Sequence, residues 1–161
     1  MRTSPVSLLL LVLIVLGPGS AHTQDATLKK PPVGIPQEAH FFAGKWYHVY
    51  LERLPWRNAR DKCKRLGGQL AVVHDEATDT FLRKVAGGLE LWLGASDEKV
   101  EGLWLWVDGT KMTYTAWNNK EPNNSHRREH FLKLAGKDSG WNDVPEDAKA
   151  VVGYICEWKD R

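Results

Sequence analysis

Residues 121–143 read EPNNSHRREHFLKLAGKDSGWND. Within them Glu121, Asn123, Glu129, Asn142 and Asp143 offer three carboxylates and two carboxamides, all oxygen donors. Such a set suits a hard cation, Ca²⁺ above all. It contains no thiol, and His126 and His130 are not needed to complete it, which argues against zinc and softer metals. A carboxylate only accepts hydrogen bonds, whereas a carboxamide can give its oxygen to a metal and still donate through nitrogen. A cation held by both kinds leaves donors and acceptors around its open positions. Two neighbouring sugar hydroxyls fill such positions, so the expected chemistry is recognition of a vicinal diol with no bond broken.

On composition alone, a stretch rich in Asn, Asp, Pro and Gly is a polar surface turn. The flanking sequence decides otherwise. Upstream stand Leu91-Trp92-Leu93-Gly94, then Glu101-Gly102, then Trp104-Leu105-Trp106-Val107-Asp108-Gly109; downstream stands Gly153-Tyr154-Ile155-Cys156-Glu157. With Glu121-Pro122-Asn123 and Trp141-Asn142-Asp143 in their places, residues 41–158 resemble the C-type lectin domain. One short motif would be weak; five in order are specific.

That resemblance implies an α+β fold: two helices flanking small antiparallel sheets, with a long calcium-binding loop. Glu121, Asn123, Glu129, Asn142 and Asp143 are then the expected calcium ligands and also the carbohydrate-binding residues. In the family the peptide bond before the proline is cis, which aims Glu121 and Asn123 at one point. Glu before the proline and Asn after it accompany mannose-type sugars (mannose, fucose, N-acetylglucosamine, glucose), whose vicinal hydroxyls are equatorial. The implied partners are glycans or glycoproteins ending in such sugars. The family also joins the two positions held here by Cys63 and Cys156.

Two departures from the family pattern carry consequences. A second disulfide usually bridges the long loop, yet this chain has Phe131 at one of its positions and Pro145 and Glu146 near the other. The loop is therefore expected to depend more on packing and on the metal. Position 130, often an acid that serves an auxiliary calcium, is His130. The adjoining His126, Arg127 and Arg128 form a basic patch suited to an anionic glycan. Asn123-Asn124-Ser125 matches the glycosylation pattern, but a glycan on Asn123 would remove a ligand, so the match is read as accidental.

The 161 residues suffice for one ordinary domain plus a leader. Residues 1–21 read as a secretory signal peptide, with Arg2, an apolar run from Leu8 to Leu16, and small residues at Gly19-Ser20-Ala21. That run is short for a membrane span, and the chain is expected to be secreted. Residues 22–40, interrupted by Pro31, Pro32, Gly34 and Pro36, read as a linker, and residues 41–161 as the lectin domain. Export places the two cysteines in an oxidising compartment, where one disulfide is the natural state. A net charge of +2, with acids and bases interspersed, offers no nucleic-acid surface.

Periodicity predicts a strand from Trp46 to Leu51 and a helix from Trp56 to Leu66. It then predicts a strand from Leu70 to Val73 and a helix capped by Asp75, with Ala77, Phe81, Leu82 and Val85 inward. Leu89 to Leu93 reads as a buried strand, residues 94–140 as a long loop, and Phe131 to Leu134 and Val151 to Trp158 as closing strands. Trp92, Trp104, Trp106, Trp141 and Trp158 are expected in the core. No paired nucleophile and base, HExxH motif or phosphate-binding glycine loop is present, so an enzyme is not expected. The alternative function is a protein-binding or structural module on the same scaffold. A single shallow site calls for avidity through an oligomer, although residues 22–40 carry no coiled-coil heptads.

Overall fold

The computed structural model describes residues 29–137 and 139–160. The expected signal peptide and the first part of the expected linker lie outside them. The described elements run β1 (His40–Phe42), β2 (Lys45–Tyr50), α1 (Trp56–Arg65), β3 (Gln69–Leu70), α2 (Glu76–Ala86), β4 (Leu91–Ser96), β5 (Leu105–Trp106), β6 (Phe131–Leu134), β7 (Trp141–Val144) and β8 (Gly153–Lys159).

The architecture is α+β, two helices with a mixed sheet. Its strands join into one sheet of order β1-β2-β8-β4-β6-β7, with β3 added on β8 and β5 on β4. Most pairs are antiparallel, but β4 and β8 run parallel through Leu91↔Gly153 and Trp92↔Tyr154. Tyr47, Leu82, Leu91, Leu93, Leu132, Trp141 and Ile155 fill one side of the core. Trp46, Trp56, Cys63, Leu70, Trp92, Tyr154 and Cys156 fill the other. The five tryptophans expected in the core are all buried. Cys63 on α1 is bonded to Cys156 on β8, 93 residues apart.

Three expectations need correction. First, residues 29–39 do not stand off the domain: Ile35 and Ala39 pack on the core and Lys29 pairs with Asp160. Two turns closed by Ile35 N–H to Pro32 O and Ala39 N–H to Pro36 O carry this segment onto the domain. Second, Leu82 and Phe81 face the core as expected, but Ala77 is exposed and Thr78, Asp79 and Ala86 are the other buried residues of α2. Asp79 turns inward because its carboxylate has partners there, the Trp141 indole N–H at 2.8 Å and Arg83 Nε at 2.6 Å. Third, residues 94–140 are not loop throughout, since β4 runs on to Ser96 and β5 spans Leu105–Trp106, and beyond them β7 pairs with β6 from Leu134↔Trp141 to Phe131↔Val144.

The Asp75 cap is as expected, accepting from Thr78 N–H at 2.7 Å. The helix ends at Gly87, whose φ of 60° is left-handed. No described helix is long and apolar enough to cross a membrane.

Candidate functional site

Two pieces of chain are brought together by a short ladder. The Trp141 N–H donates to Ala116 O at 2.7 Å, and Asn118 N–H donates to Trp141 O at 2.9 Å. Glu121 N–H then bonds Asn118 O at 3.0 Å, closing the turn that leads into the Glu-Pro-Asn triplet. Gly140 makes the close approach feasible: a Cβ there would lie 2.4 Å from Ala116 O and 2.7 Å from Asn118 N. Trp117 packs edge-on against Trp141 with ring centroids 5.8 Å apart, so its role is loop packing.

The Glu121–Pro122 peptide is cis. Asn123 Nδ2 donates to Glu121 Oε2 at 2.6 Å. Asp143 lies beneath the loop, 1% exposed. Its two oxygens accept Asn123 N–H at 3.1 Å and Asn124 N–H at 2.8 Å. Glu129 Oε2 accepts Ser125 N–H at 2.9 Å, and Asn124 Oδ1 accepts Glu129 N–H at 3.2 Å. Glu121, Asn123, Asp143 and Glu129 thus form one connected group, with Asn124 as a connector that motif reading missed. Its φ of 43° is left-handed, a conformation asparagine tolerates better than most residues.

No hydrogen bond joins the Asn142 side-chain oxygen to this group. That oxygen, Oδ1, is sealed from solvent and accepts no hydrogen bond. A buried acceptor left unpaired costs about 1–3 kcal/mol, so this atom calls for a partner. The carboxylates call for one too. Burial, and then the neighbouring Asp143 and Glu129 carboxylates, push the Glu121 carboxyl up to about 7. Burial and Asp143 also raise Glu129. Crowded negative charge with an unpartnered amide oxygen and an all-oxygen donor set suits a divalent hard cation.

A second cluster lies alongside. The His130 imidazole Nδ1 lies 3.1 Å from Asp97 Oδ1 and 3.5 Å from Glu101 Oε2. Asp97 is 3% exposed, and burial raises its carboxyl. Gly102 N–H donates to its other oxygen at 2.9 Å. An imidazole is a poor ligand for calcium and a good one for borderline metals. Here it lies directly against both acids, Asp97 and Glu101.

The chain matches the family model described as Lectin C-type domain over residues 52–158. Perlucin of Haliotis laevigata is 37% identical over 131 residues, covering 77% of this chain and 83% of perlucin. The hepatic lectin of Gallus gallus is 31% identical over 119 residues, covering 73% of this chain. The chain spans 56% of the length of that hepatic lectin, and less of several other lectin relatives. Among solved structures, the carbohydrate-recognition domain of cow CD23, obtained with a GlcNAc2Man3 oligosaccharide, superposes with a TM-score of 0.73 at 28% identity. That match covers 79% of this chain and 97% of the other. Herring type II antifreeze protein superposes with a TM-score of 0.71 at 25% identity, over 79% of this chain and 100% of the other. The scaffold therefore serves more than one end, and the reading of this chain has to rest on its own site residues.

Proposed function

Given that the chain belongs to the C-type lectin domain family, whose lectin members bind carbohydrate and are not enzymes, we propose that it is a calcium-dependent lectin for mannose-type sugars. Glu121, Asn123, Glu129, Asn142 and Asp143 would hold the cation. The observation that supports this reading is the crowding of Glu121 by the Asp143 and Glu129 carboxylates, with the sealed, unpartnered Oδ1 of Asn142 next in sequence to Asp143. Bound there, Ca²⁺ supplies a Lewis-acidic contact for the lone pairs of two adjacent hydroxyls.

The remaining work falls to the side chains. Glu121 and Glu129 accept the protons of the sugar hydroxyls. Asn123 and Asn142 donate through their Nδ2 groups once their oxygens face the cation, a dual use that carboxylates lack. Asn123 Nδ2 donates to Glu121, a donor that a sugar hydroxyl would share. Asp143 fixes the loop through two backbone N–H groups and brings the third negative charge. Discrimination for equatorial 3- and 4-hydroxyls follows from the order of acceptors and donors around the metal.

The apolar leader supports a secreted protein, and glycans or glycoproteins with terminal mannose-type sugars are the partners this site fits. Retention on a mannose resin with Ca²⁺ and release by a chelator tests the reading. Retention that ignores the chelator removes the metal from the account. A folded chain that takes up no Ca²⁺ favours a protein-binding or structural module instead.

A further inference from the structure

The turn between the two groups of ligands carries charge that calcium binding does not use. Residues Ser125–Arg127 form a short helical turn, and His126, Arg127 and Arg128 all stand exposed there. The turn rides on two of the carboxylates, since Asn124 N–H bonds Asp143 and Ser125 N–H bonds Glu129. Among the described residues, no carboxylate forms an ion pair with Lys120, Arg127 or Arg128.

Backbone conformation adds a second, independent point. His126 has φ 57° and Arg127 φ 56°, and Lys120 on the far side of Glu121 has φ 68°. Glycine would occupy each position at lower cost, the left-handed penalty for other residues being about 1–2 kcal/mol. The loop therefore bears strain at positions where it displays cations. Three carboxylates against a dication leave one net negative charge, and two guanidinium groups on the rim outweigh it.

We propose that Arg127 and Arg128 form a subsite for a tetrahedral oxyanion ester, sulfate or phosphate, on the 6-carbon of the sugar held at the calcium. The proposal rests on the calcium reading above. With the 3- and 4-hydroxyls directed to the metal, the exocyclic 6-carbon stays clear of it and would carry an ester that the exposed Arg127 and Arg128 could meet. Guanidinium forks meet such oxyanions with paired N–H donors, which lysine does not reproduce.

The test compares methyl mannoside, mannose 6-sulfate and mannose 6-phosphate by calorimetry on the calcium-loaded chain and on an Arg127→Ala/Arg128→Ala variant. At least one ester is expected to bind about tenfold tighter than the neutral sugar at about 0.05 M salt. The gap should close in the double variant and shrink at about 0.5 M salt, while affinities for Ca²⁺ and for the neutral sugar stay unchanged. Preference for one ester alone supports the proposal and identifies the group. Equal binding of all three sugars overturns it, as does a preference that survives the double substitution. Should the neutral mannoside itself fail to bind, the lectin reading falls together with the subsite, so the two failures are read apart.

Discussion

Asn142 is the residue on which the site turns. Its buried Oδ1 is unpartnered in the metal-free chain, so removing it should help the empty protein and harm the loaded one. Asn142→Ala is expected to leave metal-free stability unchanged or raised by about 1 kcal/mol and to weaken Ca²⁺ binding about tenfold or more. Thermal melting in chelator, paired with calcium titration, reads both. Glu121 supplies a pH dependence of definite sign. Its carboxyl is raised on folding toward about 7, so the folded chain keeps that proton longer than the unfolded one. Metal-free stability should therefore fall as pH climbs from the ordinary carboxylate range to about 7. Carboxyls lowered on folding, such as Asp75 and Asp108, act below that window and do not mask the trend. Saturating Ca²⁺ should flatten it, and calcium affinity should rise over the same range. Melting curves against pH, with and without metal, check the sign; a rise in metal-free stability across this interval contradicts the crowding of Glu121.

At the scale of elements, the site is built where a loop is laced to the edge of a strand. Gly140 shows how tight the lacing is, with Ala116 O and Asn118 N inside any Cβ position. Gly140→Ala should cost about 3 kcal/mol and abolish Ca²⁺ binding along with it, measured by denaturation and titration. The loop from β5 to β6 has no disulfide of its own, since Cys63 and Cys156 pair with each other and no cysteine is free. Its exposed Arg127 and Arg128 are trypsin sites, and cleavage there should run about tenfold faster in chelator than in calcium. How much of this the sequence shows varies by element. The grouping of Glu121, Asn123 and Glu129, the Asp75 cap and the core tryptophans are readable because motif, cap and burial are local signals. Strand β7 is not, because Asn142 and Asp143 look like turn residues until β6 pairs with them. Nor is Asp79 legible as an inward residue, since an acid on a helix face reads as solvated until Trp141 and Arg83 arrive from elsewhere in the chain. Asn118 and Gly140 likewise matter only through contacts between distant segments.

At the scale of the whole molecule, the disulfide and the loop of the candidate site lie in two parts of the fold that share a core cluster through Phe131 and Val144. Cys63–Cys156 ties α1 to β8 over a 93-residue separation, and the chain-entropy account assigns about 4–5 kcal/mol to a loop of this order. Replacing both cysteines by alanine should lower denaturant stability by that amount while the fraction still folded binds Ca²⁺ with unchanged affinity. Coupled loss of affinity would show that the two parts communicate. The sheet order places β1 and β2 at one margin and β7 at the other, and Lys29 meets Asp160 beside the first of these margins. A group fastened to the chain near residue 29 or residue 160 (a chip surface, a fluorophore, a sister molecule in a cluster) is attached by the β1–β2 margin, at the opposite end of the strand order from β7. Immobilisation through either residue should therefore leave calcium uptake by the proposed site unchanged, which a titration on the immobilised chain checks.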